Sequence, residues 1–100
     1  MSFEVRFTPD AQEDLQRLYE FLLERDDSAA ERAVEAIMRG IDFLRHSPFS
    51  CRKSRLAGQP RIRELVITFG RAGYVALFEI DDASTVTVTA LRHQREDDFY

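Results

Sequence analysis

The feature that most constrains the fold is a change in apolar spacing partway along the chain. In the first half, two stretches at residues 11–22 and 30–44 repeat apolar side chains every three or four positions. In the second half, residues 62–69, 74–80 and 85–91 alternate instead, as does a short run at residues 3–7. The first spacing is typical of amphipathic helices and the second of strands with one buried face. The sequence therefore predicts an α+β fold in the order β-α-α-β-β-β.

Capping residues mark the predicted ends of the two helices. Thr8 is an N-cap candidate followed by a proline that suits the first helical position, so the first helix should begin there and end near Asp26. Ser28 and Glu31 form a capping-box pattern at the start of the second helix, which should run to His46. Only one or two residues separate the helices, which predicts an antiparallel hairpin.

Short connections between the last three strands predict an antiparallel meander. Residues 47–60 show no period and are expected to form a loop. The whole chain, 1–100, is then one domain, an antiparallel sheet packed on an N-terminal helical hairpin. On the last strand, alternation puts Val86, Val88 and Ala90 on the face opposite Leu91. One sheet face should cover the helices, and the more open face is where function is expected.

Several classes of protein are disfavoured by the composition. No apolar run approaches the ~20 residues of a membrane span, and the start MSFEVRF lacks a signal-peptide pattern, so we expect a cytoplasmic protein without membrane contact. Cys51 is the only cysteine and cannot form an internal disulfide. Metal-ligand spacing, a glycine-rich phosphate loop and a nucleophile elbow are all missing from the sequence, so neither metal nor cofactor is expected.

Charge is unevenly distributed along the chain. Residues 1–42 hold eleven acidic and five basic side chains, whereas residues 43–63 hold six basic and no acidic ones. We call residues 43–63 the basic island. Such an island is either a contact surface for phosphate or an acidic protein, or simply a solvated loop. Including cations nearer the C-terminus, the candidate binding residues are Arg52, Lys53, Arg55, Arg61, Arg63, Arg71, Arg92 and Arg95.

A second group of candidates could carry chemistry. Phosphodiester cleavage needs a base, an acid and cations for the charged transition state, which His93, Tyr100 and Arg63 could supply if the meander brings them together. A histidine beside arginines at a strand end is also an ordinary binding or solvated residue. The acids at residues 96–98 would repel a nucleic acid or pair with the arginines.

Three segments carry a resemblance to a known family: RLAGQPRIRELVI, GRAGYVALFEID and TALRHQREDDFY. Together with TPDAQEDL near the start, they resemble the RelE/ParE superfamily of type II toxins over nearly the whole chain. The matching positions are Leu56, Gly58, Arg63, Leu65, Gly73 and Tyr74.

The resemblance implies a toxin of a plasmid-stabilisation type of system and is closer to the ParE branch, whose members poison DNA gyrase without being enzymes. The long hairpin fits that branch. So do the acidic C-terminal segment and Val75, which stands where the family frequently has an arginine just after the glycine-tyrosine pair. The alternative is a RelE-like, ribosome-dependent mRNA endoribonuclease, since Arg63 and His93 match positions where some such members carry catalytic residues. A third possibility is a relative that only binds a partner and is not toxic.

The resemblance also implies a partner. An antitoxin whose disordered tail folds onto the toxin should form a hetero-oligomer with this chain, using the open sheet face, the groove beside the hairpin and an edge strand. The basic island is expected to pair with acidic side chains of that tail.

Overall fold

The computed structural model describes residues 2–54 and 59–94. A short first strand precedes two long helices, and four further strands follow a single 3₁₀ turn at Pro48–Ser50. The predicted α+β class and element order are confirmed, with one short strand added inside the expected loop. The bounds are β1 Glu4–Phe7, α1 Pro9–Leu23, α2 Asp27–His46, β2 Arg52–Lys53, β3 Ile62–Phe69, β4 Ala72–Ile80 and β5 Thr85–His93.

The five strands form one mixed sheet in the order β1-β5-β4-β3-β2. Neighbours β3–β4 and β4–β5 are antiparallel, as predicted for the meander, and the added strand β2 is also antiparallel to β3, but β1 runs parallel to β5. The prediction of a wholly antiparallel sheet was therefore wrong at this one edge. Tight turns force consecutive strands to be antiparallel, whereas the long path from β1 to β5 imposes no direction.

The two helices begin at different kinds of cap. Thr8 Oγ1 accepts the Ala11 N–H at 3.1 Å, which confirms the predicted start of α1. Asp26 caps α2, because its Oδ1 accepts the N–H groups of Ser28 and Ala29 at 3.0 and 3.2 Å. The predicted Ser28 cap was wrong. The Asp26 carboxylate stands two residues earlier and favours the helix N-terminus with both hydrogen bonds and its charge.

The core lies between the hairpin and one face of the sheet. Ile37 and Leu44 of α2 pack with Leu18 of α1 against the sheet, where Phe78 is completely buried. This is the arrangement predicted from the apolar stripes. The opposite sheet face is less open than expected, because Ile62, Val75, Leu77 and the partly buried Ala90 form a second, smaller apolar cluster there.

A β-bulge in β5 changes which side chains enter the core. Leu77 pairs with Ala90 and Phe78 with Val88, so Thr89 is an extra residue in the ladder. Leu91 therefore lies on the helical side with Val88 and is fully buried, contrary to the prediction from simple alternation. Past the end of β1, the cap and first turns of α1 provide hydrogen-bond partners for the backbone of β5. Thr8 Oγ1 donates to the Thr89 carbonyl, and Asp14 Oδ2 accepts the Leu91 N–H at 3.0 Å.

Within residues 2–54 and 59–94, no helix is long and apolar enough to cross a membrane. The same residues contain no group of histidine, cysteine or acidic side chains that could hold a metal ion.

Candidate functional site

A groove of about 650 Å³ lies between α1 and the turn joining β3 to β4. We call it the His93 groove, because His93 at the end of β5 forms one side of it. Bulky apolar side chains make up most of its floor and basic ones stand around it. Its described lining is Arg17, Leu18, Phe21, Leu22, Phe69, Gly70, Arg71, Ala72, Tyr74 and His93.

Tyr74 is the centre of the groove floor. Its ring lies 5.9 Å from that of Phe69 and makes an edge contact with the His93 ring at 5.6 Å. Burial of the ring raises the pKa of the Tyr74 hydroxyl above its ordinary value. Phe21 is about half exposed at the rim, and the Arg25 guanidinium stacks on it at 3.6 Å. A partly solvated aromatic surface beside basic groups is suited to binding amphipathic, acidic chains.

A second recess of about 480 Å³ lies at the other end of the sheet, between the 3₁₀ turn and the β4–β5 turn. We call Phe49, Lys53 and Arg63 within it the Phe49 site. Arg63 Nη1 donates to the Cys51 carbonyl at 2.6 Å, and its guanidinium lies 5.6 Å from the Phe49 ring. Burial raises the pKa of the Cys51 thiol, an effect that the nearby Arg63 charge partly offsets.

Much of the basic island is already neutralised by acids from other parts of the chain. Arg52 contacts the buried Glu64 carboxylate at 2.8 Å, and Arg61 contacts Glu79 at 3.2 Å. Arg45 lies 4.0 Å from an exposed aspartate one turn earlier on α2. The continuous run of positive charge in the sequence therefore forms only partly a positively charged surface in the folded protein.

The structure does not bring together the described members of the predicted catalytic set. Arg63 on β3 pairs with Phe78 of β4. His93 on β5 pairs with Tyr74, which lies four positions before Phe78 in β4. Arg63 and His93 are therefore about 13 Å apart along the strands and two strands apart across the sheet. Tyr100 lies outside the described residues.

The other binding candidates are dispersed as well. Arg71 borders the His93 groove, whereas Arg92 pairs with Val75 on the sheet face away from the helices. Arg55 and Arg95 lie outside the described residues. Sequence reasoning missed Phe49, although a phenylalanine that follows a proline in a loop has no core position to explain it. It also missed the exposure of Phe21 at the hairpin tip.

Comparison with known proteins identifies the family. A family model described as the ParE toxin of the type II toxin-antitoxin system parDE matches residues 5–98. Two toxins from Caulobacter vibrioides are similar over nearly their full lengths. Toxin RelE3 is 37% identical, with 92% of this chain and 95% of the relative covered, and Toxin RelE1 is 34% identical, with 96% and 98% covered.

Solved structures agree on the fold. A chain of the chromosomal ParDE system from Pseudomonas aeruginosa superposes with a TM-score of 0.71 at 18% identity, covering 91% of this chain and 95% of the other. A chain of the RelBE2 complex from Mycobacterium tuberculosis gives 0.59 at 22% identity, covering 94% and 100%. The family match spans nearly the entire fold described above. The chain therefore belongs to the ParE toxin family of type II toxin-antitoxin systems.

Proposed function

We propose that this toxin arrests growth by poisoning DNA gyrase, without itself being an enzyme, and that a cognate antitoxin neutralises it. We further propose that it works in the cytoplasm as part of a plasmid-stabilisation type of system. The observation that carries the proposal is the separation of Arg63 from His93.

That separation argues against phosphodiester cleavage by these two residues. A general base and a cation that stabilises the transition state must both contact the same reacting phosphate, within hydrogen-bond reach. The guanidinium of Arg63 is held by the Cys51 carbonyl next to β2, on the side of β3 that faces away from β5 and His93. A binding role for each residue needs no such convergence.

The His93 groove is the surface we propose for the antitoxin. Its apolar floor can take the large side chains of an amphipathic segment, and Arg17, Arg71 and His93 suit acidic residues flanking them. The two solved neighbours come from a ParDE system and a RelBE complex, which supports a protein partner of this kind.

Ribosome-dependent mRNA cleavage is the second candidate. It is favoured by the similarity to two toxins named RelE and by the presence of both His93 and Arg71 in the lining of the same groove, which could supply a base and a cation. Under this alternative, Arg71 rather than Arg63 would be the cation that accompanies His93. A relative that binds its partner without being toxic is the third outcome that experiment must consider.

An assay with purified components separates these candidates. The chain should inhibit supercoiling by gyrase, and His93→Ala should inhibit as well as the wild type. Cleavage of mRNA on ribosomes that falls about 100-fold or more in His93→Ala would instead establish the ribonuclease, since a general base contributes at least that much. His46→Ala is the matched control, because this other histidine is exposed at the end of α2.

A further inference from the structure

We propose that the Phe49 site binds an acidic segment of the antitoxin in which a carboxylate stands next to an apolar side chain. This rests on the proposed function only in taking an antitoxin as the partner. The site lies at the opposite end of β3 and β4 from the His93 groove, so it would be a second, separate point of attachment.

The Phe49 site contains an unfavourable pair of like charges. Lys53 and Arg63 are directly opposite one another in the β2–β3 ladder, which brings two cationic side chains onto the same face. Like charges in that position destabilise a sheet. Arg63 is oriented by neutral groups, the Cys51 carbonyl and the Phe49 ring. A bound anion would offset the repulsion between the two cations.

The neighbouring cations of the basic island are arranged differently. Among the described residues, the ion pairs of the island are those of Arg45, Arg52 and Arg61. The alternation of the strands puts Arg52, together with Glu64, on the face away from the helices. Among the island cations that the structure describes, Lys53 and Arg63 are thus the two whose charge remains available to a partner.

An exposed apolar surface lies beside these cations. The Phe49 side chain is 65% exposed, and its ring meets that of Phe3 edge-on at 6.2 Å. Pro60, Ile80 and Ala83 complete the apolar part of the recess. A space of about 480 Å³ can take one or two side chains, so the chemistry that fits is an apolar residue with a carboxylate beside it.

The charges around the recess favour a peptide over a nucleic acid. Asp82 belongs to the lining, and hydrogen bonds from the backbone and hydroxyl of Ser84 hold the pKa of its carboxyl below the ordinary value, so it stays charged. Asp81 precedes it in the same turn. A phosphate backbone needs several cations along its path and would be repelled here, whereas a single carboxylate can reach Lys53 and Arg63.

The test uses the peptide acetyl-EEFEEL-amide, titrated into the ¹⁵N-labelled chain and followed by amide chemical shifts. Amides around the Phe49 site should shift along a titration curve of their own, which is read separately from any shifts at the His93 groove, and at this site the neutral peptide acetyl-QQFQQL-amide should bind several-fold more weakly. Lys53→Gln and Phe49→Ala should each weaken binding about fivefold or more, and raising NaCl from about 50 to about 300 mM should do the same. The matched controls Arg45→Gln and Phe43→Ala, which change an island cation and an exposed phenylalanine outside the site, should stay within about twofold.

The inference is overturned if Lys53→Gln and Phe49→Ala bind like the wild type, or if Arg45→Gln loses as much. It is also overturned if a decathymidylate oligonucleotide shifts the same amides at lower concentration than the peptide. Unchanged amide dispersion in each variant shows that the fold persists. Growth arrest by the wild-type chain, produced without antitoxin, is scored separately. Selective peptide binding without arrest would contradict the proposed function alone, and arrest without selective binding would contradict this inference alone.

Discussion

At the scale of single residues, the ion pair between Arg52 and Glu64 shows how the sheet uses its charges. The side chain of Glu64 is only 6% exposed, whereas that of Arg52 is 71% exposed. The guanidinium donates to one carboxylate oxygen through both Nε and Nη2, at 3.0 and 2.8 Å. The pair therefore serves mainly to compensate a carboxylate that β3 has buried.

Removing the cation should accordingly cost stability. We expect Arg52→Met to lower the free energy of unfolding by about 1–3 kcal/mol, because the Glu64 carboxyl would be left buried without the hydrogen bonds of its cationic partner. Adding Glu64→Gln should restore part of the loss. Urea denaturation followed by circular dichroism measures both. Arg45→Met, whose partner is exposed, should change stability by less than about 0.5 kcal/mol. Equal effects of the two arginine changes would contradict the account.

Cys51 predicts a dependence of stability on alkaline pH. Its pKa is raised in the folded protein by burial, so the unfolded chain loses its thiol proton first. The stabilising contribution is complete below the unfolded pKa of about 8.5 and is lost as pH rises through the folded value. The urea midpoint should fall between about pH 7.5 and pH 9.5, and Cys51→Ala should flatten this fall. An identical fall in Cys51→Ala would show that another group is responsible.

At the scale of elements, the start of α2 separates what local sequence could predict from what it could not. The apolar stripe indicated the helix correctly, but the predicted cap, Ser28, lies two residues after the residue that caps the helix, Asp26. Only the backbone decides between them: Asp26 is extended, whereas Ser28 already lies in the first turn.

The two capping candidates can be compared directly by substitution. Asp26→Ala should lower the free energy of unfolding by about 1 kcal/mol, because two backbone N–H groups lose their acceptor. Ser28→Ala should cost less than about 0.5 kcal/mol. Thermal or urea unfolding of the two variants decides the matter, and a larger loss in Ser28→Ala would contradict the assigned cap.

Two glycines with different roles lie close together near the His93 groove: Gly70 in the turn between β3 and β4, and Gly73 at the start of β4. A Cβ on Gly73 would lie 2.0 Å from the Ile67 carbonyl oxygen, a contact that only backbone movement can relieve. Gly70 has a φ of 61° but open space around it.

Substitution at the two glycines should therefore have unequal costs. Gly70→Ala should lose about 1–2 kcal/mol from its left-handed conformation, whereas Gly73→Ala should lose more than about 3 kcal/mol or fail to fold. Differential scanning calorimetry of both variants, with amide spectra to identify any unfolded chain, makes the comparison. A Gly73→Ala variant as stable as Gly70→Ala would show that the ladder tolerates the displacement.

At the scale of the whole molecule, sequence periodicity predicted the class, the element order and most of the core, since helices and strands each leave a local spacing. It could not predict the direction of β1 or the bulge at Thr89, because both depend on contacts between distant segments such as α1 and β5. For the same reason the sequence-based prediction placed Arg63 near His93. The pairing of β3 and β5 with β4 instead puts these two residues at opposite ends of the sheet. Phe49 was identified as a candidate only because the structure shows it to be exposed.

We propose that the toxin acts by binding its target, that an antitoxin neutralises it, and that Arg63 and His93 do no chemistry together. The most direct test is pulse labelling of DNA and protein synthesis in the first minutes after the chain is induced in bacteria without an antitoxin. The account predicts that DNA synthesis stops first while translation continues, equally for the wild type and for His93→Ala. Protein synthesis that falls first, and recovers in His93→Ala, would contradict it and establish a ribonuclease.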